Sequence, residues 1–568
     1  MLLEKLVEHS QRLAMLPEMY IETRIKWLID LDQEGNLIGF RETAGKETGH
    51  KNRGKEYSAP HALVSSGIVP KLLVGNNEYV LGLSPTEAGE HKRQRVSNCH
   101  REFVELVRKC AKATGESSIQ AVVKFLDNMV IENIKLPEDF DSSDIFSFCV
   151  GDVIPFELPN VERFWADRQA IKGKATQCLI CGKLKPPVER HQFKIKGIPG
   201  GQTSGMALVS VNNSSGNSYS LEAALNSPIC QYCAERYAKA TNSLIKDAKS
   251  HLRIGPIIYL FWTRNDMEFN PASMLSDPQP EDVKKLLESV KAGGHFQIKP
   301  NDFYATALSA SGSRVVVRDW VESTVTNVQR NIARYFSMQQ IDDGNEELHP
   351  IGLYSFANSL IPSKTGETSS RWGDIPPDIP KALMHTAISD IPLPKWLLFQ
   401  AVNRNRAERK VTRPRAALIK MVLLSQKLAT KEDMMQQINL DNHEPAYLCG
   451  RLLAVLEAVQ REALPRINTT VVDRFYGTAS TAPAVVFSQL MKMAQSHLAK
   501  LRRDKPGAHI ALQQKLEEIQ SKLNNFPRTL TLEQQGLFSL GYYHQRAADH
   551  AAARAHKQAR HEQETEQE

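Results

Sequence analysis

The chain has 568 residues, 41% of them hydrophobic and 24% charged, which excludes a wholly disordered protein. Its length predicts about two to four domains rather than one compact core. Lysine and arginine (71) exceed aspartate and glutamate (64), so the net charge is +7. That mildly basic balance permits a polyanionic partner but excludes the large cationic excess of a histone-like protein.

The sequence contains no segment that predicts membrane insertion or secretion. The longest apolar stretch, Ile254–Trp262, is interrupted by Gly and Pro and is far shorter than the roughly 20 residues of a membrane helix. Charged residues follow Met1 within a few positions, which excludes the apolar core of a signal peptide. Eight cysteines do not make a secreted disulfide framework in a chain of this length. We therefore expect a soluble, cytoplasmic protein with no membrane partner.

Residues 1–165 are predicted to form an N-terminal mixed α/β domain. Leucines at helical spacing, apolar runs beside turn residues and a longer amphipathic stretch predict its elements. In chain order these are a helix over Leu2–Leu16, a β-hairpin turning at Asp32–Asn36, a basic loop over Arg41–Lys55, a strand over Tyr79–Leu83 and a helix over Gln94–Phe125.

Residues 166–345 are predicted to form an α/β core, and residues 346–568 an α-helical bundle. The core contains short apolar runs that predict strands over Met206–Val211, Ile254–Trp262 and Ser313–Val317. The bundle ends in three helical stripes, over Leu490–Leu501, over Leu512–Leu523 and after a capping box formed by Thr531 and Gln534. The tail from Ala551 lacks an apolar stripe, so we expect it to be frayed or disordered.

Two CxxC pairs, Cys178/Cys181 and Cys230/Cys233, predict a structural metal site. The CxxC spacing lets two thiolates converge on one ion, and four thiolates close a tetrahedral zinc site without an open catalytic position. The 48 residues between the pairs exceed the usual insert of about 15 to 20, so an insertion rich in loops must bring the pairs together. An iron–sulfur cluster and four unmetallated buried thiols are the alternatives. The predicted fold class is therefore α+β, with a zinc-knuckle insertion in the mixed α/β region ahead of the helical bundle.

A run of cations in the helical part predicts contact with a nucleic-acid backbone. Glu408 is the single acid between Ala401 and Lys420. Clustered cations bind phosphates because neutralising them releases counterions, whereas a solvated helical face is the alternative. The predicted backbone-contacting residues are Arg404, Arg406, Arg409, Lys410, Arg413 and Arg415, with Lys420 at the end of the run.

Enzyme signatures are weak in this sequence. Ser243–Lys246 and Lys364–Gly366 imitate penicillin-binding motifs, but the Ser-Asp-Asn element between them is missing. The sequence has no P-loop, HExxH or GxSxG motif, and His385 and Asp390 have no further acidic or histidine partners at nuclease spacing. We expect a protein that is not an enzyme. The alternatives are a metal-dependent nuclease with dispersed acidic ligands and a zinc-containing scaffold that binds only proteins.

Several segments together resemble the large subunit of the type I-C CRISPR Cascade surveillance complex. The most specific is Lys194–Asn212, which is similar to that family's segment KGVxGxQSSGAxLVSFN. The resemblance spans nearly the whole chain in the same order, although many members lack the full set of four cysteines. The zinc prediction therefore rests on the spacing here. The supporting segments are Asn77–Gly82, Phe261–Trp262, Ala307–Ser309, Arg314–Arg318, Phe475–Ser480 and Gln535–Gln545.

The resemblance implies a non-catalytic subunit for antiviral defence. Such subunits recognise the protospacer-adjacent motif (PAM) in double-stranded target DNA, promote R-loop formation and hold the displaced strand. The implied partners are a guide RNA-containing Cascade complex with repeated backbone subunits and small subunits, and a recruited helicase-nuclease. The family also makes a small subunit by internal translation of the C-terminal part, about residues 434–568 here, and the three-helix pattern after about Arg466 would form its core. The candidate starts are Met434 or Met435 and, equally, a GUG or UUG codon at a nearby Val or Leu.

Two glycine-bearing loops are the candidate PAM readers. Short polar side chains beside glycines can approach base edges, and lysines can hold adjacent phosphates. The alternative for both loops is that the side-chain amide only hydrogen-bonds the backbone of its own turn. The candidates are Asn76 and Asn77 in one loop, and Gln202, Thr203 and Ser204 in the other with Lys194 and Lys196 beside them.

Overall fold

The computed structural model describes residues 1–13, 16–43, 53–62, 67–84, 88–129, 134–211, 216–218, 220–265, 269–291, 301–345, 349–362, 374–430 and 436–565. Most of the predicted basic loop Arg41–Lys55, the segment Lys364–Gly366 and the start positions Met434 and Met435 lie outside these ranges. In the part that is described, no helix combines the length and the apolar character needed to cross a bilayer.

The chain divides into two compact units. Unit 1 comprises residues 1–197, 202–243 and 312–315, and unit 2 comprises residues 198–201, 244–311 and 316–568. Compactness does not test which segments fold on their own, so domain boundaries after residues 165 and 345 stay a prediction. The predicted α+β class, with a helical C-terminal region, is confirmed.

Unit 1 mixes small sheets with helices. Its strands are β1 (Tyr20–Ile25), β2 (Trp27–Leu31), β3 (Leu37–Glu42), β4 (Lys55–Pro60), β5 (Gly75–Asn76), β6 (Ile145–Val150), β7 (Thr176–Gln177) and β8 (Leu184–Lys185). Four of them form a sheet in the order β3-β2-β6-β5, in which β2 and β6 are parallel, while β1 pairs with β4 and β7 with β8. Its helices are α1 (Leu2–Ser10), α2 (Asn77–Val80), α3 (Glu90–Thr114), α4 (Ser117–Asn128), α5 (Pro159–Gln169) and α6 (Gln231–Lys246), whose last three residues fall in unit 2.

Two predictions for unit 1 are confirmed and three are corrected. β2 and β3 form the predicted antiparallel hairpin, and α3 and α4 cover the predicted helical stretch. The first helix ends at Ser10, well before Leu16. The predicted strand Tyr79–Leu83 is wrong, because the backbone carbonyl of Asn77 accepts hydrogen bonds from the N–H groups of Leu81 and Leu83 and closes a helical turn instead. The predicted strand Met206–Val211 is reduced to isolated bridges at its first two residues.

Unit 2 begins with an antiparallel sheet that packs against helices, and it continues with helices alone. The strands of this sheet are β9 (His251–Ile254), β10 (Ile257–Thr263), β11 (Asp302–Ser311) and β12 (Arg314–Thr324), whose first two residues fall in unit 1. They are arranged in the order β12-β11-β10-β9. Its helices are α7 (Pro271–Ser276), α8 (Pro280–Lys291), α9 (Val325–Gln339), α10 (Leu353–Ser359), α11 (Asp378–Ser389), α12 (Lys395–Glu408), α13 (Arg413–Ser425), α14 (Pro445–Ala463), α15 (Val471–Ala479), α16 (Pro483–Asp504), α17 (Pro506–Lys522) and α18 (Leu532–Thr565).

A turn at Gly255 splits the predicted strand Ile254–Trp262 into the hairpin of β9 and β10. The core face of this sheet, with Tyr259, Phe261 and Phe303, joins one continuous apolar core with the helices of unit 2. Burying so many apolar side chains together is what stabilises the unit.

The helical bundle is organised around α14 and α18, which cross at unusually close range. A Cβ atom at Gly450 would overlap the carbonyl oxygen of Phe538, and one at Gly541 would overlap the carbonyl oxygen of Tyr447. Arg451, which is almost fully buried, donates to Gln545 at 3.0 Å and pairs with Glu518 at 2.5 Å. Small residues at a crossing let two helix backbones approach, and buried polar pairs then fix their register.

The ends of α18 confirm one prediction and correct another. The Thr531 hydroxyl accepts from the N–H of Gln534, and the Gln534 side chain accepts from the N–H of Thr531, which is the predicted capping box. The helix continues to Thr565. The expectation of a frayed tail from Ala551 is therefore wrong for the described part of that tail.

Candidate metal centre and cationic surfaces

The first cysteine pair lies in the turn of the β7–β8 hairpin of unit 1. The N–H of Cys178 donates to the carbonyl of Lys183 at 3.0 Å, and Gly182 donates back to the carbonyl of Cys178 at 2.9 Å. Gly182 has a positive φ of 69°, the left-handed backbone that a glycine adopts without strain. The turn therefore presents both thiols of the CxxC pair to the same side.

The second cysteine pair lies at the start of α6. A bridge between Pro187 and Cys230 and a hydrogen bond from Val188 to the carbonyl of Ile229 hold the helix start against the segment that follows the hairpin. This contact closes the 48-residue insertion and confirms that the two pairs meet. The Sγ atoms of Cys178, Cys181, Cys230 and Cys233 all lie within 4.8 Å of one another.

One of the four thiols, that of Cys230, is placed for deprotonation. The Cys230 thiolate accepts a hydrogen bond from Cys233, which lowers the pKa of Cys230 to about 5 although burial opposes the change. The same hydrogen bond raises the pKa of Cys233. A thiolate at neutral pH is the form that binds metal, and a helix start favours it.

The donor set fits a tetrahedral metal ion. A bond of about 2.3 Å from zinc to each sulfur places sulfurs about 3.8 Å apart, and the Sγ atoms of Cys181 and Cys230 are 3.9 Å apart. Cys178, Cys230 and Cys233 are buried, so the site is closed to substrate. Within the described ranges, these four cysteines are the one group of three or more His, Cys, Asp or Glu side chains placed to hold a metal.

The loop between Lys194 and Met206 is the exposed candidate for contacting bases. Ile195 and Met206 exchange backbone hydrogen bonds of 2.8 Å, which close the loop, and Gly205 at a φ of 90° sits where a Cβ would strike Lys194. Asn242 on α6 clamps the loop base, accepting from the N–H of Lys196 and donating to the carbonyl of Lys194, both at 2.9 Å. The loop therefore starts from a fixed base, and its predicted side chains Lys194, Lys196, Gln202, Thr203 and Ser204 are all exposed.

The other candidate loop differs, because Asn77 is buried with 5% of its surface exposed. Its side-chain amide donates to the carbonyl of Leu83 at 3.1 Å, and its neighbour Asn76 caps α2 with a partly buried side chain. An amide held in this way stabilises its own turn. We therefore correct the prediction for Asn77 and drop it from the candidate base readers.

The cationic run of the helical part separates into buried and exposed members. Glu408 pairs with Arg404 at 2.6 Å and with the buried Arg415, which also donates to the carbonyl of Ser359 at 2.7 Å. Burial alone would raise the pKa of Glu408, but these two arginines lower it to about 2. Arg415 is therefore buried and paired inside unit 2. This corrects its prediction as a phosphate ligand.

Lys420 and Arg413 also have partners within unit 2. Lys420 is buried, which lowers its pKa to about 8, and its amine donates to the carbonyl of Gln340. Arg413 donates to the carbonyl of His349 and lies 3.6 Å from Asp343. The exposed members of the run are Arg406, Arg409 and Lys410, which we call the α12 cationic edge.

His385, which the sequence analysis considered together with Asp390, pairs with a different acid. His385 lies 2.5 Å from Asp319 on β12, whereas Asp390 ends α11 and pairs with Arg334. A hydrogen bond from His385 lowers the pKa of Asp319 although burial opposes it.

Comparison with known families decides what kind of protein this is. A family model described as CRISPR-associated protein (Cas_Csd1) matches residues 3–549 of the chain. The chain belongs to this CRISPR-associated family. No curated protein matches it. The resemblance found in the sequence is thereby confirmed at the level of the CRISPR-associated family.

Sequence analysis missed the cations around the cysteine cluster of this CRISPR-associated protein. The segment from Arg168 to Arg190, with both ends included, contains six lysines and arginines against one acid, Glu189. On α6 the ring of Tyr232 lies under Lys185 and Arg236, at 5.7 and 5.1 Å from its centroid. A count of charge in windows around the CxxC pairs would have found this surface.

Proposed function

We propose that this CRISPR-associated protein is the non-catalytic large subunit of a type I-C surveillance complex. In that role it recognises the PAM in duplex DNA, promotes R-loop formation, holds the displaced strand and recruits a separate helicase-nuclease. The observation that carries the proposal is the clamped, exposed loop Lys194–Met206, which lies in the segment most similar to the large subunit. In such complexes the guide RNA reads the target sequence by base pairing, and the protein supplies the PAM contacts and the basic channels.

PAM reading is assigned to Gln202, with Thr203 and Ser204 beside it. An exposed glutamine offers a donor and an acceptor on one amide, which can pair with an adenine edge. Lys194 and Lys196 at the clamped base of the loop hold the neighbouring phosphates. Asn76 stays a weaker candidate, because its side-chain oxygen is buried.

Substitution of Gln202 tests this assignment. Gln202→Ala is expected to cost about 1–3 kcal/mol of binding to targets with a correct PAM and little on other DNA. Gln514→Ala, at an exposed glutamine of α17, is the matched control. A Gln202→Ala variant that keeps full PAM discrimination would contradict the assignment.

The α12 cationic edge is assigned to a nucleic-acid backbone. Replacing Arg406, Arg409 and Lys410 with Ala is expected to weaken binding to all sequences alike and to flatten the salt slope by about one unit per lost phosphate contact. The control removes three exposed cations of α16, Lys492, Arg502 and Arg503. An equal effect in both variants would contradict the assignment and would show that the α12 cationic edge is an ordinary solvated face.

Zinc is the metal assigned to the four cysteines, and its role is structural. Four thiolates satisfy a tetrahedral zinc ion and leave no position for substrate, so the metal stabilises the insertion. Metal analysis of the purified protein is expected to give about one zinc per chain. A content well below that, or a visible absorption typical of iron–sulfur clusters, would contradict the assignment.

Affinity purification from cells separates the proposal from its alternatives. We expect the chain to co-purify with guide RNA, repeated backbone subunits and small subunits. Cleavage of labelled duplex DNA by the purified chain with a divalent metal would instead identify a nuclease. Recovery of proteins alone, with no salt-dependent affinity for DNA, would identify a scaffold.

A further inference from the structure

A groove of about 820 Å³ lies beside the cysteine cluster, entirely within unit 1. It runs between the segment after α5, the segment that follows the β7–β8 hairpin, and the start of α6. Its volume is in the range of sites that hold a small molecule or one unit of a polymer. We call it the knuckle groove.

The rim of the knuckle groove is cationic. Lys172, Lys174 and Arg190 line it and are exposed, and none of them makes an ion pair within the described ranges. Glu189 is the one acidic side chain of the lining. Unpaired cations that converge on one concave site attract an anion more strongly than the same charges on a flat face.

The floor of the groove is apolar and ends in a polar atom that lacks a partner. Val188, Phe193 and Leu225 contribute the apolar part. His191 also lines the groove and is 5% exposed, and its Nδ1 atom lies 2.7 Å from the hydroxyl of Tyr237. Its Nε2 atom is buried without a hydrogen-bond partner in the described part of the chain. A buried polar atom of this kind is costly unless a ligand satisfies it.

The surroundings keep His191 neutral and the site positive. Burial, together with Lys194, lowers the pKa of His191 to about 4. When the Tyr237 hydroxyl donates to Nδ1, the proton of the neutral ring is on Nε2, which is then a donor for a carbonyl or phosphate oxygen.

We propose that the knuckle groove binds one nucleotide of a single-stranded nucleic acid. The phosphate lies against Lys172, Lys174 and Arg190, and the base lies on the apolar floor, where His191 donates to one of its oxygens. A cationic track with an apolar or aromatic platform is how proteins hold single strands without reading their sequence. The inference rests on the proposed function, because it identifies a place for a strand released from duplex DNA.

The test measures binding of a labelled oligothymidylate of about 15 nucleotides to the full-length chain. The variant K172A/K174A/R190A is expected to bind at least about tenfold more weakly, with a salt slope lower by about 0.7 per lost phosphate contact. The control K109A/K112A/K124A removes three exposed cations of α3 and α4 in the same unit. Equal losses in the two variants, or none in the first, would overturn the proposal. Zinc content and circular dichroism establish that each variant is folded.

A second variant tests the base rather than the charge. Leu225→Trp fills the floor, so it is expected to weaken binding of the oligothymidylate and to leave an abasic oligonucleotide of equal length unaffected. Equal effects on both ligands would overturn base insertion, as would complete competition by free thymidine monophosphate. The matching oligouridylate distinguishes RNA from DNA as the source. If the wild-type chain binds neither oligonucleotide, the proposed function fails. If it binds and the variants do not differ, only the groove fails.

Discussion

Glu408 decides which cations of the run Arg404–Lys420 are available on the surface. It has a fifth of its side chain exposed and is shared by Arg404 and Arg415, of which Arg415 is almost fully buried. A buried arginine needs a counter-charge, since desolvating an unpaired guanidinium costs several kcal/mol. The Glu408 carboxylate therefore stabilises a buried arginine of unit 2 as well as a partly exposed one.

Replacing Glu408 with Gln is expected to lower the free energy of unfolding by about 3 kcal/mol at pH 7, because it leaves Arg415 buried without its carboxylate. The pKa of Glu408 is lowered from 4.5 to about 2 in the folded state, so its contribution is complete above pH 4.5 and is lost as the pH falls towards 2. Urea unfolding at pH 7 and at pH 3 measures both.

Glu462→Gln, at an exposed ion pair with Lys505, is the matched control for this prediction. Exposed pairs contribute little, so its unfolding midpoint is expected to stay near that of the wild type. An equal effect of the two substitutions, or a Glu408→Gln difference that does not shrink at pH 3, would contradict the assigned role.

At the scale of elements, the β7–β8 hairpin and the start of α6 have few apolar residues to hold them together. Leu179 and Leu184 are exposed, and both strands of the hairpin are two residues long. A sheet this small is not stable alone, and the proposed metal would fix its position by cross-linking it to α6.

Cys181→Ser is expected to abolish metal binding and to lower the yield of folded protein more than it changes DNA affinity per folded molecule. Cys149→Ser is the control, because that buried cysteine lies outside the cluster and its sulfur donates to the carbonyl of Gly151, a bond serine can keep. Metal analysis and soluble yield are the measurements. A Cys181→Ser protein that keeps its metal would contradict the four-cysteine site.

The crossing of α14 and α18 makes a second prediction at this scale. Gly450→Ala is expected to destabilise unit 2 by about 1–3 kcal/mol or more, because the added methyl group meets the backbone of α18. Gly477→Ala on α15, where nothing lies within 4 Å of the new atom, is expected to be neutral or stabilising. Thermal unfolding compares the two, and similar midpoints would show that the helices can separate to accept a side chain.

Elements with long, regular patterns were predictable from sequence, and those fixed by single hydrogen bonds were not. The stripes of α16 and α17 and the Thr531 capping box were found because each repeats a local rule. The apolar run Tyr79–Leu83 has strand-forming residues, yet Asn77 turns it into a helical end through hydrogen bonds that spacing does not reveal. Short apolar runs carry no period long enough to decide between strand and helix.

The candidate site was predictable to the same degree. The CxxC spacing gave all four cysteines, since two ligands per pair are fixed by local geometry. The burial of Arg415 depends on neighbours far along the chain, such as Ser359, and no charge count contains that information.

At the scale of the whole molecule, any internally translated small subunit must contain α14. Tyr447 lies 3.0 Å from His544, and Glu457 accepts from Tyr542 at 2.6 Å, so α18 has its polar partners on α14 as well as its closest backbone contact. A product starting after about Arg466 would lack α14 and would expose to water the buried face of α18 that packs against it, including Phe538 and Tyr542.

We therefore expect mass spectrometry of the purified complex to find a short polypeptide whose N-terminus precedes Pro445. A start near Met434 or Met435, or at a nearby Val or Leu codon, satisfies this requirement. Detection of the full-length chain alone would contradict the existence of a small subunit. A product beginning after Ala463 would contradict the requirement for α14.

The long span between the two cysteine pairs gives the proposed zinc site a consequence for the host cell. The clamped loop Lys194–Met206 and most of the knuckle groove lie within the 48 residues that the cysteines close. If the proposed zinc holds the insertion, newly made chains in a zinc-starved cell would lack a fixed loop and a fixed groove. The proposed recognition of DNA would then decline as growth dilutes the older chains, so trace-metal supply would affect it.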